Sequence, residues 1–430
     1  MSKIRIKNFG PIKEGYVGEN NSPWMEIEKV TVFIGNQGSG KSCVAKLIST
    51  FSWLEKALRK GQLREKDVEF PNRFMNRYCG YHNMQNYFRT NTEISYNGEA
   101  FSFSYFEGNF SVIRNKPEYY KIPKIMYVPA ERNFVSAVDK PEKLKYLPKS
   151  LATFLDEFVN AQENVNGGVE LPINNTSFEY DKLNKIAHIR GNKDDYRIRL
   201  SQSSSGFQSA VPLFIVTRNL ALSINERDES DSSTSELSVE EENRLRIEIR
   251  KIYKNDKLSA SLKKVAIEEL SAKYTIDCFI YIVEEPEQNL FPTSQHQILN
   301  SLLEFNNINE GSKLIMTTHS PYLINFLSIA IQGEFLLDKI INGNSNKVAM
   351  DKYRLGKNEK TFKERLNDIV PIKSLVNYKQ VVIYELDEKN GTIKTLPSSY
   401  GIPSDKNYLN QSLRHGNEMF DGLLEIEQEL

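Results

Sequence analysis

Gly35-Asn36-Gln37-Gly38-Ser39-Gly40-Lys41-Ser42 lies between an apolar run, Val30-Thr31-Val32-Phe33-Ile34, and a segment with Val44, Leu47, Ile48, Phe51 and Leu54 at helical spacing. The octet fits G-x-x-x-x-G-K-[ST] in a strand–loop–helix context. Its glycines let the backbone curl so that successive N–H groups face phosphate oxygens, and the following helix adds its positive end. In this reading Lys41 reaches the β- and γ-phosphates and Ser42 holds Mg²⁺. All eight residues are candidate nucleotide ligands, with Mg²⁺ as the implied metal.

Two more strand ends carry chemistry. The apolar run 276–283 leads into Glu284-Glu285-Pro286-Glu287, and α/β sheets bind ligands at the C-terminal edge of their strands. Glu284 is therefore a candidate Mg²⁺ partner acting through the ion's water shell, and Glu285 a candidate base for the attacking water. The run 313–318 is followed by His319-Ser320-Pro321. With all three strands in one sheet, His319 becomes a candidate γ-phosphate contact.

Working outward, Ile4 to Phe9 alternates as a half-buried strand does. Residues 93–114 predict hairpins around the Asn97-Gly98 turn. The run 124–128 predicts a strand ending at Pro129-Ala130-Glu131-Arg132. Leu151, Phe154, Leu155, Phe158 and Val159 mark an amphipathic helix, and short strands fill 168–200. The polar run from Ser201 to Ser209 precedes an apolar helix expected from Val211. Near the end, two strands flank the Asn390-Gly391 turn.

Residues 225–274 differ. Eight acidic residues and one basic residue lie between Glu226 and Glu242, then five basic and one acidic between Arg244 and Lys254. This predicts an acidic linker followed by exposed helices, serving either as a docking surface or as a solvated excursion. A second asymmetry lies at 114–149, with nine basic and four acidic residues interleaved with aromatics. That stretch reads either as a DNA-contacting surface or as a solvated face over core aromatics.

Composition bounds the rest. The 430 residues carry 56 basic and 56 acidic side chains, so partners must be recognised by local patches rather than by a global field. Three cysteines, widely separated, form neither a disulfide framework nor a CxxC metal site. The N-terminus lacks a signal-peptide core, and no apolar run approaches the ~18 residues a membrane span needs. The expectation is a cytoplasmic protein without a membrane partner.

The octet, then Ser204-Ser205-Gly206-Phe207-Gln208, then Glu284-Glu285-Pro286-Glu287, then Thr318-His319-Ser320-Pro321 resemble, as a set, the motifs of an ABC-type ATPase head. They are similar to the soluble branch that includes RecF, the structural-maintenance-of-chromosomes proteins and the overcoming-lysogenization-defect nucleases. The resemblance implies ATP as the nucleotide and an α/β fold with a mixed β-sheet core, an antiparallel β subdomain and helical insertions. The division is 1–224 for the first part of the core, 225–274 for the charged helical insertion and 275–430 for the remainder. It also implies a head-to-tail homodimer in which Ser205, Gly206 and Gln208 contact the partner's γ-phosphate. The segment departs from L-S-G-G-Q, so Ser204 and Ser205 both remain candidates for the signature serine. Glu131-Arg132 stands where the family has a glutamine, and Arg132 is a candidate salt-bridge residue.

Gln208 and Glu284 are 76 positions apart, whereas transporter subunits carry the signature shortly before the carboxylate strand. A transporter role therefore ranks last. The 50-residue insertion reaches only about 35–40 Å as a helical hairpin, too short for a long coiled coil. Residues 330–430 offer no D-x-D cluster, so a nuclease domain is not expected. What remains resembles stand-alone ATPase subunits of anti-phage systems of the Septu, retron-associated or PARIS type. Such subunits act with a separate effector, commonly a nuclease. The alternative is a RecF-like DNA-repair ATPase.

Overall fold

The structure, a computed structural model, describes residues 2–18, 22–138, 143, 145–193, 196–225, 276–342, 361–399 and 401–429, with isolated residues between 247 and 263. Apart from those isolated positions and Asn225, the charged insertion expected at 225–274 lies outside the described residues.

The chain opens with β1 (Ser2–Phe9), β2 (Gly15–Tyr16), β3 (Met25–Ile27) and β4 (Val30–Gly35). Helix α1 (Lys41–Arg59), the short α2 (Glu65–Val68) and strands β5 (Phe88–Asn97), β6 (Phe101–Phe106), β7 (Asn109–Arg114) and β8 (Pro123–Val128) follow. Next come α3 (Phe134–Ala137), α4 (Lys149–Glu163), β9 (Gly168–Glu170), β10 (Thr176–Asp181), β11 (Ile186–Gly191), β12 (Arg197–Arg199) and α5 (Ser205–Asn225). The last part holds β13 (Cys278–Glu284), α6 (Pro292–Ile308), β14 (Lys313–Thr318), α7 (Pro321–Asn342), α8 (Phe362–Ile369), β15 (Val381–Asp387), β16 (Thr392–Thr395) and α9 (Tyr408–Glu429).

The main sheet has the order β2-β16-β15-β4-β14-β13-β8. Its central strands β15, β4, β14, β13 and β8 are parallel, while β16 returns antiparallel to β15. Every residue of β4 is buried, which a parallel strand covered on both faces requires. Val30, Val32 and Ile34 point into one core, shared with α4, α5, α6 and α7. Phe33 points into the other, shared with α1 and β1. The period-two alternation thus divides one strand between two cores.

Two larger antiparallel sheets, beside a two-stranded ribbon of Ser398–Ser399 and Ile402–Pro403, complete a mixed α/β P-loop fold. One has the order β3-β1-β5-β6-β7, the other β12-β11-β10-β9. The first lies over α1, where Phe51 stacks against Phe74, Tyr96 and Phe103 at centroid separations of 5.4, 5.1 and 5.6 Å. Beside it Glu55 accepts hydrogen bonds from the backbone N–H groups of Ala100 and Phe101 at 2.6 and 3.1 Å. The turn between β5 and β6 passes so close that a Cβ at Gly98 would lie 2.3 Å from Glu55 Oε1. All three cysteines are buried free thiols. No described helix is long and apolar enough to cross a membrane.

Two boundaries differ from expectation. The strand expected from 276 starts at Cys278, because Asp277 turns its carboxylate to the Ile122 N–H at 2.7 Å. The helix expected from Val211 starts six residues earlier, at Ser205, and carries Pro212 inside it. Proline has no N–H to give the Gln208 carbonyl one turn back. The Ser136 hydroxyl donates to that carbonyl instead, at 2.6 Å. A helix start before an internal proline is masked in the sequence by the serine run.

Candidate functional site

The octet forms the turn between β4 and α1. Gly35, Gly38 and Gly40 have φ of +145°, +78° and +105°, the region where glycine meets least strain. At Gly40 a Cβ would also press to 2.9 Å against Ile12. The Lys41 ammonium is folded onto its own loop, donating to the carbonyls of Gly35 and Asn36 at 2.9 Å each. Burial lowers its pKa to about 8 against the opposing pull of Glu285, Glu287, Glu284 and Glu388. Asn36 accepts from the Gln37 N–H at 2.8 Å and donates to Glu388 at 3.0 Å. The β15–β16 turn therefore flanks the loop.

Strands β13 and β14 are adjacent, β14 pairs β4, and their C-terminal ends bring Glu284, Glu285 and His319 beside this loop. Glu284 is buried, and among the described residues its Oε1 has no hydrogen-bond partner; Ser39 Oγ is in the same condition. A buried acceptor and a buried hydroxyl left unsatisfied beside a phosphate-type loop fit a site completed by a ligand. A hard oxygen donor in Glu284 and a hydroxyl in Ser42 are the donor types Mg²⁺ takes.

Glu285 adopts φ +45°, rare for a residue with a side chain. Its N–H donates to the Thr317 carbonyl at 2.9 Å. Its carboxylate lies 3.6 Å from His319 Nε2. Burial, reinforced by Glu284, raises the Glu285 pKa, while Lys41 and Arg132 oppose the rise. Burial and the Lys41 charge lower that of His319, which favours neutral imidazole. Glu287 accepts from the His319 N–H at 2.7 Å and the Thr318 hydroxyl at 2.8 Å. Gln295 accepts from the Ser320 hydroxyl at 2.6 Å. Neither Glu287 nor Gln295 was expected to hold the histidine loop. The acidic run at 284–287 was the available signal for Glu287.

Ser205 opens α5 and is exposed, with Ser204 just before the first helical residue. Gln208 turns back to donate to the carbonyls of Ser201 and Ser203 at 3.0 and 3.1 Å. Gly206 sits over the loop after β13, where a Cβ would meet the Asn289 carbonyl at 3.0 Å. The signature candidates thus pack on the loop that follows the carboxylates. Gln208 is hydrogen-bonded to Ser136, Ser201 and Ser203, and the neighbouring Ser209 donates to Gln288 of that loop at 3.4 Å.

Arg132 corrects an expectation. It is fully buried and forms no direct ion pair among the described residues, although Glu287, Glu285 and Glu284 lie near enough to act on its charge. Its partners are carbonyls: Glu284 at 2.7 Å, Glu285 at 2.7 Å, Ser209 at 3.2 Å and Pro129 at 3.4 Å. The basic stretch 114–149 is also partly engaged within the fold. Arg114 pairs with Glu65, Lys121 with Glu310 and Lys124 with Glu157, while Tyr120 and Tyr127 are core.

A family model described as an AAA ATPase domain matches residues 256–324, a span holding Glu284, Glu285 and His319 but not the octet. No curated protein matches the chain. Among solved structures, the chain is similar to the SMC head domain from Thermotoga maritima at 11% identity and TM-score 0.36, covering 92% of this chain and 98% of that one. An Smc head domain bound to the C-terminal domain of ScpA, derived from Pyrococcus furiosus, matches at 11% identity and TM-score 0.33, covering 97% and 100%. A nucleotide-free ATP-binding cassette from an ABC transporter matches at 12% identity and TM-score 0.26, covering 94% of each.

Proposed function

We propose that this chain binds and hydrolyses ATP as an ABC-type head, closing head-to-tail with a second copy and so controlling a separate effector, a nuclease, in anti-phage defence. The observation that carries the ATPase reading is the convergence of the octet, Glu284, Glu285 and His319 at the C-terminal ends of adjacent parallel strands in one sheet. Mg²⁺ held by Ser42 and Glu284 would supply charge neutralisation at the phosphates. Lys41 binds phosphate oxygens, and the N–H groups of residues 36–42 orient them. Glu285, with its raised pKa, accepts the proton of the attacking water. His319, beside it, donates a hydrogen bond toward the γ-phosphate. The dimer, the effector and the defence role rest on the motif set, in which an exposed Ser205 begins a helix whose N-terminus can meet a partner's phosphate.

The test is hydrolysis by the purified chain and by Glu285→Gln. The wild type should turn over ATP, and the variant should be slower by about 10²-fold or more while retaining ATP and accumulating as a dimer. A variant hydrolysing at the wild-type rate excludes Glu285 as the base. A nuclease that co-purifies in an ATP-dependent way supports the effector reading.

The RecF-like alternative is favoured by two exposed aromatics with basic sequence neighbours, Tyr119 near Lys116 and Tyr146 near Lys143 and Lys145. It predicts salt-dependent duplex binding by the chain alone.

A further inference from the structure

Arg132 is a fully buried cation whose hydrogen-bond partners are all carbonyl oxygens. Removing a guanidinium from water is costly, and here only carbonyl hydrogen bonds and the pull of the nearby Glu287, Glu285 and Glu284 charges offset that cost. The arrangement is explained by what the group fixes. Two of its partners are the carbonyls of Glu284 and Glu285, each at 2.7 Å. Glu285 is also the residue held at φ +45°, a conformation that persists only where its surroundings over-determine it. Its peptide groups are gripped on both sides, the N–H by the Thr317 carbonyl and the C=O by Arg132. The guanidinium's third edge holds the carbonyl of Ser209, one turn into α5 from Ser205. That carbonyl lies next to the Gln208 carbonyl, which Pro212 leaves without its helical donor and which Ser136 takes. One rigid planar group therefore spans from the helix of the signature candidates to the backbone of the proposed base.

We propose that Arg132 is a positioning residue that locks Glu285 in its left-handed conformation and ties that conformation to the first turns of α5. Whatever engages the N-terminus of α5 then moves the carbonyl that Arg132 holds, and with it the aim of the Glu285 carboxylate. This rests on the ATPase reading above. A shift of about 1 Å in a reacting group costs on the order of 10²-fold in rate without loss of binding.

The experiment compares full-length wild type, Arg132→Met, Arg132→Lys, Glu285→Gln and the double variant Arg132→Met/Glu285→Gln. It reads single-turnover ATP hydrolysis, the Kd for ATP and the Tm. Arg132→Met should lower the hydrolysis rate about 10²-fold with Kd changed less than about threefold. Arg132→Lys, keeping the charge and part of the bonding, should recover part of the rate. The double variant should be no slower than Glu285→Gln, because both changes act through one carboxylate. An Arg132→Met enzyme with the wild-type rate overturns the proposal, as does parallel loss of rate and affinity, or rate effects that multiply in the double variant. If Arg132→Met does not fold, Arg132→Lys decides by the same split, and failure of both to fold assigns Arg132 to structure alone. A wild type that binds or ignores ATP without hydrolysing it sinks the underlying ATPase reading instead.

Discussion

At the residue scale, Lys41 shows how the site holds a charge against its own loop. Its ammonium is buried on two carbonyls, and burial brings its pKa to about 8. A methionine fills similar space without desolvating a charge. Lys41→Met should therefore leave the Tm of the nucleotide-free protein unchanged or slightly higher. It should also abolish the ATP-induced rise, which for a ligand at a hundredfold excess over Kd corresponds to about 2.7 kcal/mol. Thermal melts with and without ATP–Mg²⁺ decide this, and an undiminished rise would remove Lys41 from the binding site. The octet was legible because glycine, lysine and serine act there through local backbone geometry. Arg132 was not, because its partners are carbonyls, three of the four far along the chain, and carbonyls leave no mark in a sequence.

At the element scale, α1 joins the phosphate loop to the antiparallel sheet, and Glu55 is its anchor. Burial raises the Glu55 pKa to about 7, against the lowering effect of the two backbone N–H groups it accepts from. A carboxyl whose folded pKa exceeds its unfolded value of 4.5 binds protons more tightly in the folded state between those values. Its contribution to stability is fully present below about pH 4.5 and is lost as pH rises toward about 7. Glu55→Gln removes this dependence, so wild-type stability should fall relative to the variant from pH 5 to pH 7, by at most about 1.4 kcal/mol per pH unit. Melts of both proteins across that range test it, and parallel curves would refute the assignment. The strands were readable where alternation or continuous apolar runs met turn residues, as in β4, β6 and β14. The start of α5 was not, because Ser203, Ser204 and Ser205 suit a loop as well as a helix cap. Only the tertiary contacts from Ser136 and Arg132 make a helix with Pro212 inside it tenable.

At the scale of the whole molecule, the proposed head-to-tail pair depends on the exposed N-terminus of α5. Ser205→Glu puts a carboxylate where the helix dipole favours it by about 0.3–1 kcal/mol, so folding should not suffer. The same charge would repel a phosphate presented by a second copy. Combined with Glu285→Gln, it should leave ATP binding by the monomer intact and abolish the ATP-dependent dimer. Sedimentation with and without ATP measures this, and an unweakened dimer would contradict the pairing. The buried thiols bear on how such a pair can be observed. Cys43 and Cys278 are pushed up to about 12 by burial, and Cys79 higher still. Thiolate is the reactive form, so all three should resist maleimides at neutral pH while the chain stays folded, which a thiol titration of the native protein checks. The native protein would then serve as a blank background for labelling. A single cysteine introduced at exposed Gln202, just before α5, would carry a dye that reports on the proposed pair with every native cysteine left in place.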